Sequence, residues 1–446
     1  MNMRKFVWTM AILITFFLAL FIFLSSPHSP LQLNQLFQPD TPGAGDQNDH
    51  FSAETKEEEK EPETYEPDIR QVSFLTLGNI IAHQPQIEQA DSGNNRYDFS
   101  PSFDFIASYL QKADIVVGDL ETAQADPETS YFRVSGYTGW PLFNAPGEFT
   151  EALADAGVNV LTLANNHVLD RGLEGLSQTI DHIRSHGITT FGAYKSWEEY
   201  NTPVIVEHNG IRIALVGYTY GTNGNPIPSG HEYCVKLTSY FIDISELLED
   251  IKLLRSLDVD FVAVFPHWGA EHTSEPKPER LRQVAEEIAA SGADLIIGGH
   301  PKYIQPIEWF FNINPDGSER ATLVIYSQGN FISNQHYPYN ESPFVEYGLL
   351  LNIELYKNMD TGHAWIGDTD YTITWVHRRW RHRILPLRDL FTATAEEYNL
   401  SPQKVAELEI WYQRIEEVIG YYGHQESLER VKYLADSYAK ERTRAY

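Results

Sequence analysis

The sequence predicts a layered α/β fold, in which a mostly parallel β-sheet is covered by helices. Five runs rich in Val, Ile and Leu each end in a small polar cluster, as expected for strands that are buried on both faces and end at one sheet edge. Helical patterns alternate with these strands, as they do in parallel or mixed sheets. The five clusters close at Asn79, Glu121, His167, His267 and His300.

The elements follow in a regular order. The run VSFLTLG begins the sheet, and the strands DIVVG, VNVLTLA, GITTFGA, PVIVEHN, IRIALVGY, DFVAVFP, ADLIIGG and TLVIYSQGNF follow it. Asn209-Gly210 is a strong two-residue hairpin signal, so antiparallel pairing is expected within the sheet. Periodic apolar residues predict helices at 101–112, 146–156, 173–186, 245–257 and 278–291.

The amino-terminal region is predicted to anchor the chain in a membrane. Residues 6–24 carry no charge and number about 19, close to the roughly 20 that cross a bilayer. Arg4 and Lys5 precede this run, and positive flanks stay in the cytoplasm, so the bulk of the chain is expected outside a bacterial cell membrane that it crosses once. A cleaved signal peptide is the alternative, although its apolar core would be only about 7 to 15 residues long.

Composition divides the chain into four predicted segments. Residues 1–25 form a cytoplasmic tip with the transmembrane signal-anchor helix, and residues 26–70 form a disordered acidic stalk. Residues 71–345 hold the main α/β domain. Residues 346–446 add strands and then helices, and Ser401-Pro402 is a helix start with Pro at the first helical position.

Net charge and cysteine content exclude several classes of function. The formal net charge of −29 argues against nucleic acid or anionic lipid as a non-specific partner, because both bind basic surfaces. The single cysteine, Cys234, excludes an internal disulfide framework and a cysteine-rich zinc site, and it is expected to be a small buried residue.

The polar clusters contain the side chains of a candidate metal site. Carboxylate, amide oxygen and imidazole are the ligand set suited to manganese, zinc or iron. Taken alone, each cluster is more simply a capping, turn or hydrogen-bonded structural group. Their recurrence at matching strand ends favours one shared site, to which Asn79, the pair Asp119 and Glu121, Asn165 or Asn166, His267 and His300 are candidate contributors, with His167 as a candidate general acid.

Eight spaced blocks also resemble the CapA family of bacterial poly-γ-glutamate capsule proteins. They follow in unbroken order over residues 72–333: GNIIAHQPQI, YDFSPSFDFI, VVGDLETA, GWPLFNAPGE, LANNHVLDRG, FPHWGAEH, GADLIIGGHPKYIQPIE and YSQGNF. The resemblance implies an αββα sandwich like that of the calcineurin-like metallophosphoesterases, followed here by the carboxyl-terminal strand and helix extension. It also implies a membrane-anchored role outside the cytoplasm in making, exporting or tethering poly-γ-glutamate, together with other capsule synthesis membrane proteins.

The resemblance implies a two-metal plan from which this sequence departs at two positions. The family's opening Gly-Asp is Gly78-Asn79 here, and its HPH block is His300-Pro301-Lys302. One metal site is thereby weakened, with His83 as a candidate surviving ligand. The other keeps its ligands, which are Glu121 or Asp119, Asn166, His267 and His300.

The altered positions predict one tight divalent metal rather than two. The ammonium of Lys302 is a candidate substitute for the missing cation, which would make Lys302 part of an anion site and a candidate catalytic residue. Arg171 and Glu271, within the LANNHVLDRG and FPHWGAEH blocks, are candidate substrate-binding residues.

Three functions remain open on this evidence. The chain is a hydrolase or transferase acting on poly-γ-glutamate or a related anionic polymer, a generic metal-dependent phosphoesterase, or a polymer-binding scaffold without catalysis. The basic stretch HRRWRHR, residues 377–383, is either a strand whose Arg378, Trp380 and His382 face one side to grip carboxylates, or a charged sheet edge.

Overall fold

Two β-sheets lie face to face in the computed structural model, which describes residues 66–272, 279–314, 317–340 and 342–440. In the first sheet, β1 lies between β2 and β12 and also pairs with β11. The strands of this sheet, in spatial order, are β14 (Arg383–Pro386), β13 (Ala364–His377), β12 (Tyr347–Asn358), β1 (Ile69–Ile80), β2 (Ile115–Leu120), β3 (Val160–Thr162) and β4 (Thr189–Phe191), with β11 (Asn330–Ile332) beside β1.

The second sheet has a parallel centre and antiparallel edges. Its strands, in spatial order, are β5 (Val204–His208), β6 (Ile211–Thr219), β7 (Phe261–His267), β8 (Leu295–Ile297), β10 (Glu319–Ile325) and β9 (Ile307–Ile313). The β5–β6 pair is antiparallel, and its turn is the predicted one, with Asn209 and Gly210 both at positive φ. Only residues that tolerate a left-handed backbone fit such a turn.

Helices cover the outer faces of both sheets and the edge of the sandwich. They are α1 (Gln84–Ala90), α2 (Ala107–Leu110), α3 (Glu148–Ala156), α4 (Gly172–Ser185), α5 (Trp197–Asn201), α6 (Ser245–Arg255), α7 (Glu279–Ala290), α8 (Leu387–Thr392), α9 (Pro402–Ile419) and α10 (His424–Ala439). Ser401 caps α9 through its side chain, as predicted.

Three apolar clusters make this a four-layered αββα sandwich. One cluster fills the space between the sheets, with members such as Phe74, Leu215 and Leu351, and continues under α9 and α10. A second packs α3 and α4 on the first sheet, and a third packs α6 and α7 on the second sheet. The predicted fold class is confirmed, and the strands of the extension, β12 to β14, complete the first sheet.

The structure corrects several details of the sequence analysis. The five polar clusters lie at the ends of two sheets rather than one, because β7 and β8 belong to the second sheet. The predicted strand TLVIYSQGNF is divided, since the chain passes from β10 in the second sheet to β11 in the first through Gly329 at φ 66°. The predicted helix over 101–112 is a 3₁₀ turn, Ser100–Phe103, followed by the short α2. Cys234 is buried, as expected.

The basic stretch is a turn, which excludes the alternation of side chains expected of a strand. β13 ends at His377 and β14 begins at Arg383, and Arg381 and His382 have left-handed backbones that a strand cannot contain. His382 is buried, whereas Arg381 pairs with Asp98 and Arg383 pairs with Asp104. These arginines are therefore engaged within the chain.

The predicted membrane segment, residues 6–24, lies outside the described residues. Within the described ranges, no helix is both long enough and apolar enough to cross a membrane.

Candidate metal centre at the strand ends

The carboxyl ends of both sheets meet at one cluster of buried polar side chains. Asn79 and Asp119 are neighbours in register at the ends of β1 and β2. The segment 165–167 follows β3. From the second sheet, His267 ends β7 and is bridged to Gly299, which precedes His300. Close approach is possible at Gly299 because it has no side chain: a Cβ there would lie 2.8 Å from Asp119 Oδ2.

Asp119, Asn166 and His267 are joined by short contacts across the two sheets. Oδ2 of Asp119 lies 2.9 Å from Nδ1 of His267, and Oδ1 of Asn166 lies 2.9 Å from Nε2 of the same ring. Asn165 donates from Nδ2 to the other Asp119 oxygen. Ligand atoms of Asp119, Glu121 and His267 all lie within 4.8 Å of one another, a spacing that one metal ion could bridge.

Both ring nitrogens of His267 lie within hydrogen-bond distance of an oxygen, so the two contacts together require one more proton than a neutral ring carries. A neutral imidazole carries one N–H, yet both of its nitrogens face oxygens here, and Asn166 is oriented by donating to Asn223. Burial lowers the pKa of His267 to about 3, and burial raises the pKa of the Asp119 carboxyl to about 7. We therefore assign the extra proton to Asp119, with the ring N–H directed at Asn166.

His300 presents an unused imidazole nitrogen at the same place. Its Nδ1 is buried and has no hydrogen-bond partner among the described residues. Burial holds the pKa of His300 well below its usual value, so the ring is neutral and its lone pair is available. The rings of His267 and His300 lie 4.8 Å apart, and Tyr220 packs 4.7 Å from His300 on the open side.

Glu121 and Lys302 form a fully buried ion pair beside these ligands. Nζ of Lys302 lies 2.7 Å from Oε1 and 2.5 Å from Oε2 of Glu121. Neither side chain is more than 2% exposed. His300 and Lys302 both have positive φ, at 92° and 64°, and this turn after β8 directs both side chains into the cluster.

Asn79 presents a donor to the cluster. Its Oδ1 accepts from the backbone N–H of His300 at 3.3 Å. Its Nδ2 is buried without a hydrogen-bond partner among the described residues. Asn79 stands where the implied two-metal plan has a ligand of the weakened metal site. It therefore presents an N–H group where a metal would need an oxygen.

His167 is held by a carboxylate that the sequence analysis did not single out. Nδ1 of His167 lies 2.8 Å from Oδ2 of the fully buried Asp170, which also accepts from the backbone N–H of Phe143. A carboxylate at Nδ1 leaves Nε2 as the nitrogen that can exchange a proton with a ligand. The spacing of three residues from His167 to Asp170 was the available sequence signal.

A cleft of about 640 Å³ opens onto the cluster. His83 and Glu271 line it as well as Lys302, and Trp140, 76% exposed, stands at its margin. The residues lining the cleft are Ile81, His83, Trp140, Pro141, Leu142, Phe143, Asn166, His167, Tyr220, Asn223, Asn225, Glu271, His300, Lys302 and Gln335.

His83 and Arg171 do not join the metal-ligand cluster. Nδ1 of His83 accepts from the backbone N–H of Asn334 at 3.2 Å, and burial lowers the pKa of His83 to about 3. Arg171 is buried and donates to the carbonyls of Asp170 and Gly136. Its guanidinium therefore supports the loop behind His167 and does not line the cleft, although substrate binding was expected of it.

The loop after β6 supplies three residues of the site that the sequence analysis missed. Tyr220 covers the imidazoles, Asn223 contacts both Asn166 and His167, and Asn225 donates to Asp170. Gly and Asn in this loop predict only a turn, so its sequence contains no sign of the site.

The side chains at the strand ends provide enough metal ligands for one divalent transition metal. His300 Nδ1 and Asn166 Oδ1 are neutral acceptors, and His267 would become one at Nε2 if its ring proton moved to Nδ1, where Asp119 could accept it, as carboxylates beside metal-bound histidines commonly do. The remaining positions fit a second metal poorly, because Asn79 offers a donor and Glu121 is already paired with an ammonium.

Fold and site together define an αββα protein with a candidate metal centre at its strand ends. The sequence profile of the bacterial capsule synthesis protein family PGA_cap matches residues 73–335. The chain belongs to this family, as the resemblance of its eight blocks indicated.

Two curated proteins are similar to this chain over much of its length. The capsule biosynthesis protein CapA of Bacillus anthracis is 28% identical over 260 residues, which is 57% of this chain and 59% of that protein. The PGA biosynthesis protein CapA of Bacillus subtilis (strain 168) is 26% identical over 304 residues, 67% of this chain and 72% of that protein. The match thus spans less than two thirds of the first of these proteins.

The similarity of this chain to solved structures is weaker. The NAD nucleotidase of Haemophilus influenzae has a TM-score of 0.41 at 14% identity and covers 78% of this chain and 60% of its own. The calcineurin-like phosphoesterase YfkN from Bacillus subtilis has a TM-score of 0.39 at 15% identity, covering 68% of this chain and 91% of its own.

Proposed function

We propose that this chain acts outside the cytoplasm, anchored by residues 6–24, in making, exporting or attaching a poly-γ-glutamate capsule. In this proposal the cleft binds the polymer or a related anionic chain, and one divalent metal at the strand ends assists hydrolysis or transfer. The observation that carries it is the buried, unused Nδ1 of His300 at the cleft, beside His267 and Asn166. The choice of polymer rests on family membership and on the names of the two Bacillus relatives.

The proposed chemistry divides between the bound metal and His167. A divalent metal at this place would polarise a carbonyl or phosphoryl oxygen. His167 would give a proton through Nε2 to the leaving group, while Asp170 keeps the ring in the required orientation. Glu271 lines the cleft and Tyr220 covers the imidazoles, so both are placed to limit which substrates enter.

Metal content and polymer cleavage test this proposal together. The full-length protein is loaded with Mn²⁺ or Zn²⁺, dialysed, and assayed for metal per chain and for shortening of poly-γ-glutamate. We expect about one tightly bound equivalent, and at least a 10-fold loss of affinity in His267→Ala and in His300→Ala. His186→Ala is the matched control, because this histidine lies at the end of α4, outside the cluster. Retention of metal in both cluster variants would contradict the site.

Asp119 is expected to make metal affinity depend on pH. A metal bound at Nε2 of His267 would require the ring proton at Nδ1, where an ionised Asp119 carboxylate would accept it. Since the pKa of Asp119 is raised to about 7, one proton is released per metal bound below that pH. Apparent affinity should rise by about tenfold per pH unit towards pH 7 and then level off. Competitive metal titrations from about pH 5.5 to 8.5 measure this slope, and a flat profile would rule out the assigned proton.

A polymer-binding scaffold without catalysis is the second candidate. The Glu121–Lys302 pair favours it, because this pair neutralises one carboxylate of the cluster in the absence of any metal. A scaffold would bind poly-γ-glutamate without shortening it and would tolerate His167→Ala. A generic metal-dependent phosphoesterase would instead hydrolyse simple phosphoesters when loaded with metal and lose that activity in His267→Ala.

A further inference from the structure

Lys302 lies among side chains that otherwise suit a metal. Its ammonium contacts both oxygens of Glu121, and both side chains are removed from solvent. Burial of either charge without the other is strongly unfavourable, so each depends on its partner. An ammonium that contacts both oxygens of a carboxylate also leaves that carboxylate less available to a metal.

The cluster has two halves of opposite hydrogen-bonding character. Asn166 Oδ1 and His300 Nδ1 form the half that offers lone pairs, and the His267 ring lies beside them. Asn79 Nδ2 and Lys302 Nζ form the half that offers N–H groups. A cation is attracted to the first half and repelled by the second.

We propose that Lys302 is a built-in cation that replaces a second metal and restricts the cluster to one. Its ammonium satisfies Glu121, and the single metal is held by the half that offers lone pairs together with His267, which Asp119 supports through Nδ1. This inference rests on the proposed metal site and adds to it the number of ions and the identity of the residue that sets that number.

Metal stoichiometry in Lys302 variants tests the inference. The full-length chain is equilibrated with excess Mn²⁺ or Zn²⁺, dialysed, and its metal measured by elemental analysis. We expect about one equivalent of metal in the unaltered chain and one in Lys302→Met. We expect two in Lys302→His, because this change removes the ammonium and introduces an imidazole that can bind a metal. Two equivalents in the unaltered chain, or one in a folded Lys302→His variant, would overturn it.

The double variant Glu121→Gln with Lys302→Met keeps the inference testable if a single variant fails to fold. It removes both charges, and it should still bind one equivalent, because the ion pair is not part of the ligand set. Loss of metal from a folded double variant would show that Glu121 is a ligand and would overturn the inference while leaving the proposed site intact. Absence of metal from the unaltered chain would overturn both.

Discussion

Replacing Lys302 with methionine is expected to lower the free energy of unfolding of the metal-free chain by about 3–5 kcal/mol. The change leaves the carboxylate of Glu121 buried without its ammonium partner, while the methionine keeps most of the side-chain volume. Urea denaturation in the presence of a chelator measures the loss.

Two controls separate the lost charge from lost packing. Adding Glu121→Gln to Lys302→Met should recover most of the stability, since no unpaired charge remains. Lys440→Met removes one member of an ion pair with Asp436 that is more than three-quarters exposed, and it should change stability little. Equal losses in Lys302→Met and in the double variant would mean that packing, rather than charge, is the cause.

Replacing His167 with alanine is expected to lower turnover of the polymer by about 10²–10⁴-fold while the bound metal stays constant. The ring lies at the cleft but holds its Nδ1 against Asp170, so its loss removes a proton donor and no metal ligand. Rate measurements and elemental analysis on the same preparations decide between the two roles.

Asp170→Asn provides the companion measurement, because it keeps the shape of the side chain but changes the hydrogen bond to His167. Its turnover should fall, and the pH dependence of the rate should shift, without a change in metal content. Loss of metal in His167→Ala would make His167 a ligand. Unchanged turnover in that variant would leave the scaffold as the better account of the chain.

Much of the fold follows from local patterns in the sequence. Runs of Val, Ile and Leu formed β1, β2, β3, β7 and β8 because such runs stay in strands that are covered on both faces. Asn209-Gly210 formed its hairpin because the turn needs positive φ at both positions. The division of TLVIYSQGNF between two sheets could not be predicted, since it depends on contacts of Gly329 with distant segments.

The candidate site was predictable where its residues end buried strands. Asp119, His267 and His300 could be listed in advance, but their partners could not. The pairing of Lys302 with Glu121 depends on a left-handed turn after β8 meeting the end of β2 across 181 residues of sequence. Asn223 lies in a loop whose composition predicts only a turn. The burial of Arg171 away from the cleft depends on its tertiary contacts and could not be inferred from its place in a motif.

The position of β1 between β2 and β12 has a consequence for how this chain is made. Val72 pairs with Leu355, so the first described strand stays unpaired on one side until nearly the whole chain has been synthesised. Contacts so distant in sequence form slowly, and an open strand edge is a site of aggregation in the meantime. A product that ended before β12 would leave the edge Ile69–Thr76 unpaired, and we expect it to aggregate more readily than the full chain.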